Sequence, residues 1–443
     1  MTIDLNKYLN ILDGINPGKR YGKVTQVLGL VVEGVGMPTC VGNLCSIIPH
    51  NGRNEEIRAE VVGFVDDKFL LMPLGETHGI RPSDRIIFSN EPFSVKVGEE
   101  MLGRTVDALG NPIDGLGPIF SVPDHARSCH VYNNPPEPFS RKRISEPLAT
   151  GIRAIDGLIT CGKGQRMGIF AGSGVGKSVL LGMIAQNTTA DVNVIALIGE
   201  RGREVRDFIE KDLGEEGLKH SVIIVATSDQ PPLLRAIGPS VAMTIAEYFR
   251  DQGKDVLFMM DSVTRYAMAE REIGLAIGEP PTTKGYTPSV FAKLPKLLER
   301  AGSTSEKGTI TALYTVLVEA DDMNDPIADG VRSILDGHIV LSRELAIRNH
   351  YPAIEINESV SRLMVDVTES DHRKAAARLK ETMAIYNDAK DMIDIGAYVP
   401  GSSSKIDYAI EQIDAINEYL RQPIEEQAVF DDTISRLMSL LPE

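Results

Sequence analysis

The stretch Phe170-Ala171-Gly172-Ser173-Gly174-Val175-Gly176-Lys177-Ser178 constrains the fold more than any other part of this chain. An apolar run, Met167 to Phe170, precedes it, and an aliphatic helical pattern, Val179 to Ala185, follows. Strand, glycine-rich loop and helix in that order are the context a phosphate-binding P-loop needs. Glycines let backbone N–H groups converge on phosphate oxygens with no Cβ in the way. A helix starting near Gly176 aims its positive dipole end at the same oxygens. Lys177 adds a mobile positive charge for β- and γ-phosphates, and Ser178 offers a hydroxyl to Mg²⁺. The first glycine of the G-x-x-x-x-G-K-[ST] pattern is Ala171 here. A chance glycine turn before a helix is the competing reading, and the agreement of all three elements weighs against it.

Composition narrows the class. With 443 residues there is room for about three domains and large cores. An apolar content of 42% marks a globular chain, and a net charge of −16 argues against broad nucleic-acid binding, which wants a basic balance. Cys40, Cys45, Cys129 and Cys161 form no C-x-x-C pair and no zinc-like cluster, so they read as small apolar residues in a reducing compartment. Met1 to Asn10 carries no signal-peptide pattern, and no run of about eighteen apolar residues occurs, which predicts a soluble, unexported chain.

Leu5, Tyr8, Leu9 and Leu12 recur at helical spacing between a capping Asp4 and Gly14. So short a helix needs a surface, either its own domain or a partner. From Gly22 to Asn90 short Val/Ile-rich runs broken by turn residues suggest a small barrel or sandwich, with Ile57, Ala59 and Val61 alternating inward and a turn at Asp66-Asp67. Residues 91–145 read as a transition ending in a proline-rich linker, Asn133 to Pro138. From Glu146 to Asp366 candidate strands at 166–170, 192–198, 221–227, 255–260, 309–318 and 336–341 alternate with helical patterns such as 203–213 and 232–252. That alternation predicts an α/β fold with a doubly wound, mostly parallel sheet whose ligands sit at the carboxyl ends of the strands. Beyond Ser370 the pattern is helical, first through Ala376, Leu379, Met383, Tyr386, Ala389 and Ile393, then over 405–420 and 424–440.

Two further carboxylates belong with the P-loop. The apolar strand ending Met259-Met260-Asp261 has the Walker B form, with Asp261 placed to hold Mg²⁺ directly or through water. Glu200 lies just past the strand that ends Ala196-Leu197-Ile198, where a side chain can face the γ-phosphate and orient an attacking water. Taken alone, Glu200 is equally well read as a helix-opening carboxylate.

Several stretches then carry a resemblance that covers residues from about 20 to the end. They are Glu146 to Asp156, Gly199 to Glu204, Asp261 to Arg271 running on to Gly278-Glu279-Pro280-Pro281 and Lys284-Gly285-Tyr286, and Asp336 to Arg343. The chain resembles the rotary ATP synthase α/β superfamily, and within it the type III protein-export ATPases, which share Ala171 at the P-loop start. The resemblance implies a small β-barrel, then a P-loop nucleotide domain, then a helical C-terminal domain, with boundaries expected at 1–16 for a partner-binding helix, 17–90, 91–368 and 369–443. It implies ATP bound by Ala171, Gly172, Ser173, Gly174, Val175, Gly176, Lys177, Ser178 and Val179, with Tyr351 packing on adenine and Ile424 and Phe430 near that pocket. Mg²⁺ is implied at Ser178 and Asp261. Glu200 matches the catalytic glutamate, Arg201 an arginine near the γ-phosphate and Arg265 a second arginine behind the site. Pro352 to Arg362 resembles the superfamily signature, with Glu355 where Asp is usual, and Arg362 matches the arginine finger given to a neighbouring subunit.

What the resemblance implies for function is ATP hydrolysis that energises type III export of flagellar proteins, in a homo-hexamer with nucleotide at the subunit boundaries. Implied partners are a stator-like regulatory subunit at the N-terminal helix, a central stalk-like component, export chaperones with their cargo and the membrane export gate. The implied location is cytoplasmic, peripheral to the inner membrane at the export apparatus. A virulence injectisome is the alternative system. Glu200 argues against a non-catalytic ring subunit, and the net charge, with no aromatic–basic clusters, argues against a ring helicase or transcription terminator. A nucleotide-gated scaffold differs from a working ATPase by its lack of turnover.

Overall fold

The computed structural model describes residues 21–36, 38–50, 56–121, 126–304, 307–318 and 322–441. The expected N-terminal helix, with Leu5 to Leu12, lies outside the described residues. The chain divides into two compact units, residues 1–94 with 272–280, and 95–271 with 281–443.

In the first unit six antiparallel strands close into a barrel. They are β1 (Tyr21–Leu28), β2 (Val31–Gly36), β3 (Asn43–Ile48), β4 (Ile57–Val65), β5 (Lys68–Pro73) and β6 (Arg85–Pro92), hydrogen-bonded in the order β1-β2-β5-β4-β3-β6. Alternation decides what faces inward. Val24, Val32, Ile47, Ala59, Val61, Leu71 and Ile86 fill the core, with Ile57 half-buried against them. Phe69 and Phe88 meet edge to face at 5.0 Å. Closure leaves no strand edge to aggregate. Asp66 takes a left-handed conformation in the tight turn from β4 to β5, as its short polar side chain permits.

The second unit is built on a sheet that is parallel apart from short edge pieces. Its main strands are β7 (Thr105–Asp107), β8 (Arg166–Ala171), β9 (Val192–Ile198), β10 (Ser221–Ala226), β11 (Val256–Asp261), β12 (Thr309–Leu317), β13 (Gly337–Leu341) and β14 (Val360–Ser361). The order is β14-β13-β8-β12-β11-β9-β10-β7. Each central strand is a nearly continuous apolar run because helices such as α1 (Lys177–Asn187) and α2 (Pro232–Asp251) cover the sheet. The expected strands and the doubly wound α/β class are both present. β7 was not expected, since it is a three-residue piece inside the presumed transition, held by parallel pairing to β10. The helical pattern at 203–213 forms as an α-turn over Gly202–Asp207 that loosens into a π-turn over Phe208–Leu213.

The C-terminal helices are α3 (Ser370–Asp394), α4 (Ser404–Leu420) and α5 (Phe430–Leu440). Ala376, Leu379 and Ala389 are buried as their spacing predicts, each apolar side chain of leucine size contributing roughly 2 kcal/mol. Residues 424–429, expected in the last helix, are not helical, because Gln422 and the Ala428 amide both bond the Gly151 carbonyl and hold the chain in a turn after Pro423, closed by the Glu426 amide on the Pro423 carbonyl. The four cysteines are unpaired, and burial pushes the Cys45 thiol up to about 12. Among the described residues no helix is long and apolar enough to cross a membrane.

Candidate functional site

A cleft of about 1290 Å³ opens at the carboxyl ends of the parallel strands. The loop from Ala171 to Gly176 forms its floor, and Gly176 begins α1 with φ +87°, a backbone that only glycine adopts without strain. A Cβ on Gly176 would lie 3.3 Å from the Tyr351 ring, so the loop and the aromatic wall pack closely. α1 starts at Lys177, and the free amides of its first turn face the cleft.

Three strand ends bring the charged groups together. Lys177 follows β8, Glu200 follows β9 and Asp261 ends β11. The Lys177 ammonium forms an ion pair with Asp261 and stands 3.6 Å from Glu200 Oε1. Beneath them the buried Thr315 hydroxyl, on β12, donates to Asp261 Oδ1 at 2.7 Å. Burial, reinforced by the negative charge of Asp261 and only partly offset by Lys177, pushes the Glu200 carboxyl up to about 7. Glu204 is held below the usual carboxylate range, chiefly by its hydrogen bond with Glu200. Two carboxyl groups beside the P-loop offer oxygen donors that suit a divalent cation held against a phosphate chain.

The remaining expected residues sort into two groups. Arg201, Arg265, Tyr351 and Ile424 line the same cleft as Ala171 to Val179, Glu200 and Ser178. The Arg201 side chain is largely exposed, 3.8 Å from Glu204. Arg265 packs under Gly199, whose φ is +72° and whose missing Cβ would fall 2.7 Å from Arg265 Cβ. The buried Arg265 Nε has no hydrogen-bond partner, as fits a donor awaiting an anion. Phe430 does not reach the cleft and instead packs edge-on against His372. Arg362 does not line the cleft either. It follows β14, and its amide donates to the Asp336 carbonyl at 3.0 Å, level with Arg166 at the start of β8. Ala171 lies at the other end of that strand, roughly 17 Å away at 3.3 Å per residue.

These residues fit Mg²⁺ with a nucleoside triphosphate. No cluster of three or more His, Cys, Asp or Glu among the described residues is arranged to hold a metal unaided. The exposed Ser178 hydroxyl and Asp261 are what a cation needs when phosphate and water supply its other ligands. Thr315 was missed by sequence reasoning, because a threonine inside an apolar strand carries no local signal. Only the parallel pairing of β11 with β12 puts it under Asp261.

Comparison with known proteins gives the family and the fold. The ATP synthase alpha/beta family nucleotide-binding domain matches residues 151–361, the beta-barrel domain of that family residues 24–90, and the C-terminal domain of the type III secretion EscN ATPase residues 368–439. The chain is 53% identical over 422 residues to the flagellum-specific ATP synthase of Bacillus subtilis (strain 168), covering 95% of each protein. It is 50% identical over 426 residues to the type 3 secretion system ATPase of Xanthomonas euvesicatoria, covering 96% of this chain and 94% of that one. The assembled ATPase EscN of enteropathogenic E. coli, solved with its central stalk EscO, superposes with a TM-score of 0.86 at 44% identity, over 95% of this chain and 99% of that one. The chain therefore belongs to the ATP synthase α/β family, in its branch of flagellar and type III secretion export ATPases.

Proposed function

We propose that this chain hydrolyses MgATP in a homo-hexameric ring and that turnover energises type III export of flagellar proteins. The observation that carries the chemistry is the convergence of Lys177, Glu200 and Asp261 at the mouth of the P-loop. Amides from Gly172 to Lys177 cradle the phosphates, and the ammonium of Lys177 turns from Asp261 to the β- and γ-oxygens. Ser178 and Asp261 would hold Mg²⁺, which when bound supplies charge neutralisation on the phosphate oxygens. Glu200 accepts a hydrogen bond from the attacking water and aligns it with the γ-phosphorus, so that the bond to the ADP oxygen breaks as the new one forms. Arg201 and Arg265 stand where negative charge develops. Tyr351 and Ile424 take the adenine.

Arg362 completes the site from the next subunit. Its place at the far end of β8 supports this reading, since it cannot reach the cleft of its own chain. The wider assignment has a central stalk in the ring, as EscN has EscO, and, as the family resemblance implies, a stator-like regulator on residues 1–16, export chaperones with cargo, and a cytoplasmic post at the membrane export gate. The domain limits at 16, 90 and 368 belong to the same reading. An injectisome role is the second reading, favoured by the Xanthomonas and EscN relatives. Restoring motility to a flagellar ATPase deletion, and failing to restore effector secretion, separates the two.

Glu200→Gln tests the chemistry. It should retain ATP binding and lose about 10²–10⁴-fold in turnover, because only the positioning of water is removed. Turnover equal to the parent's would return Glu200 to the role of a helix-opening carboxylate.

A further inference from the structure

A chain of buried hydrogen bonds connects the start of the nucleotide-binding region to the wall of the cleft opposite the phosphates. It begins at Asp156, whose fully buried carboxylate accepts from the Thr150 amide at 2.9 Å, the Thr150 hydroxyl at 2.7 Å and the Gly151 amide at 3.0 Å. The Gly151 carbonyl, held in place by that grip, accepts from Gln422 Nε2 at 2.8 Å. Gln422 is 3% exposed and spends its side chain completely. Its second Nε2 hydrogen goes to the Glu426 carbonyl at 2.8 Å, and its Oε1 accepts the Arg153 amide at 2.8 Å. The Gln422 amide donates to the carbonyl of Tyr351 at 3.0 Å. Arg153 braces the same segment, with its guanidinium on the carbonyls of Tyr419 at 2.8 Å and Arg421 at 2.7 Å and ion-paired to Glu426.

Tyr351 and Ile424 both stand substantially exposed in the cleft, at 41% and 58%. The Tyr351 ring rests against Gly176 of the P-loop, and beyond that contact both side chains depend on their backbone for placement. β13 holds the residues after Tyr351, and Gln422, two residues before Ile424, bonds the Tyr351 carbonyl through its backbone amide while its side chain anchors the segment that carries Ile424. The phosphate end is carried by other elements, β8, α1, β9 and β11. The side chain of Gln422 bonds only Gly151, Arg153 and Glu426, none of which belongs to those phosphate-end elements.

We infer that Gln422 is a positioning residue for the nucleoside. It sets Tyr351 and Ile424 for the base without acting on the phosphates, and the Arg153–Glu426 pair is its brace. The inference rests on the reading of the cleft as an ATP site.

The test compares two probes, MgATP and magnesium tripolyphosphate, which lacks the nucleoside. Gln422→Ala keeps the backbone bond to Tyr351 and removes the three side-chain bonds that anchor the segment, so it should weaken ATP about tenfold while tripolyphosphate stays within about twofold. In steady state the loss should fall on KM, with kcat within about twofold. Parallel weakening of both probes, or unchanged ATP affinity in a folded variant, would overturn the assignment. If Gln422→Ala does not fold, Glu426→Gln decides the matter, since it keeps an acceptor for Arg153 and touches a partly exposed carboxylate. It should weaken ATP about threefold and leave tripolyphosphate alone, and no change for ATP would count against the inference. A parent chain that binds neither probe removes the ATP-site reading and this inference together. A parent that binds and hydrolyses ATP beside an unaltered variant removes the inference only.

Discussion

Replacing Thr315 by valine keeps the shape of a fully buried side chain and deletes one hydroxyl. That hydroxyl donates to Asp261 Oδ1 at 2.7 Å. With nucleotide absent, Asp261 also has the Lys177 ammonium. Once Lys177 turns to the phosphates, Thr315 is the buried donor that still orients the carboxylate toward the cation. A hydrogen bond to a charged group contributes roughly 1.5–3 kcal/mol, which is about 10–100-fold in an equilibrium constant. The same range is typical when a residue that orients a metal-binding side chain is lost. Titrating Mg²⁺ at fixed ATP and following phosphate release, the half-saturating Mg²⁺ for Thr315→Val should rise about 10–100-fold, with the rate largely recovered at high Mg²⁺. Thr311→Val is the control on the same strand, because its buried hydroxyl accepts from the Gly164 amide at 2.8 Å, away from the cleft. It should cost about 1 kcal/mol of stability and leave the Mg²⁺ requirement alone. An unchanged Mg²⁺ requirement in folded Thr315→Val, or an equal shift in Thr311→Val, would refute the reasoning.

Three other expectations follow, two from the site and one from the N-terminal segment. With burial and Asp261 holding Glu200 at about 7, only about a tenth of it is ionised at pH 6, so kcat/KM at saturating Mg²⁺ should climb about tenfold from pH 6 to pH 8 and then level. The raised carboxyl adds stability below its ordinary value of 4.5 that is lost as pH rises through about 7, so Glu200→Gln should raise Tm at pH 8 and not at pH 5, and the opposite order in thermal unfolding would contradict the assignment. Removing residues 1–13, in which Leu5, Tyr8, Leu9 and Leu12 recur at helical spacing, should abolish binding of the stator-like regulator and leave Tm unchanged. A lower Tm of the isolated chain would make the segment part of the core instead.

Local patterns in the chain carried much of this architecture. The P-loop is legible because glycine, lysine and serine sit between a strand pattern and a helix pattern, and β8, Gly176 and α1 follow that order. Glu200 and Asp261 are legible as carboxylates at strand ends, although their shared closeness to Lys177 depends on strand order. Thr315 is illegible because its role exists only through pairing between strands far apart in sequence. β7 is too short to show periodicity and owes its existence to β10. Residues 424–429 look helical by composition, yet Gln422 and Ala428 tie that segment to Gly151 and tertiary bonding overrides propensity. Arg362 is an ordinary exposed arginine by pattern and by burial within one chain, and the role proposed for it rests on the family resemblance and on its distance from the cleft.

The most direct test of the shared-site ATPase is the mixing of two inactive subunits. Arg362→Ala retains the complete Lys177, Glu200 and Asp261 set and lacks the donated arginine. Glu200→Gln lacks the water-positioning carboxylate and retains Arg362. An arginine supplied in trans contributes about 10³-fold or more in rate, so each variant alone should be nearly silent. In a random one-to-one ring about a quarter of the interfaces join an intact Glu200 site to an intact Arg362 donor. Phosphate release from the mixture should therefore rise well above that of either variant, in step with the fraction of mixed rings measured by native mass spectrometry. Mixed rings that form and release no more phosphate than the separate variants would contradict a site completed by the neighbouring Arg362.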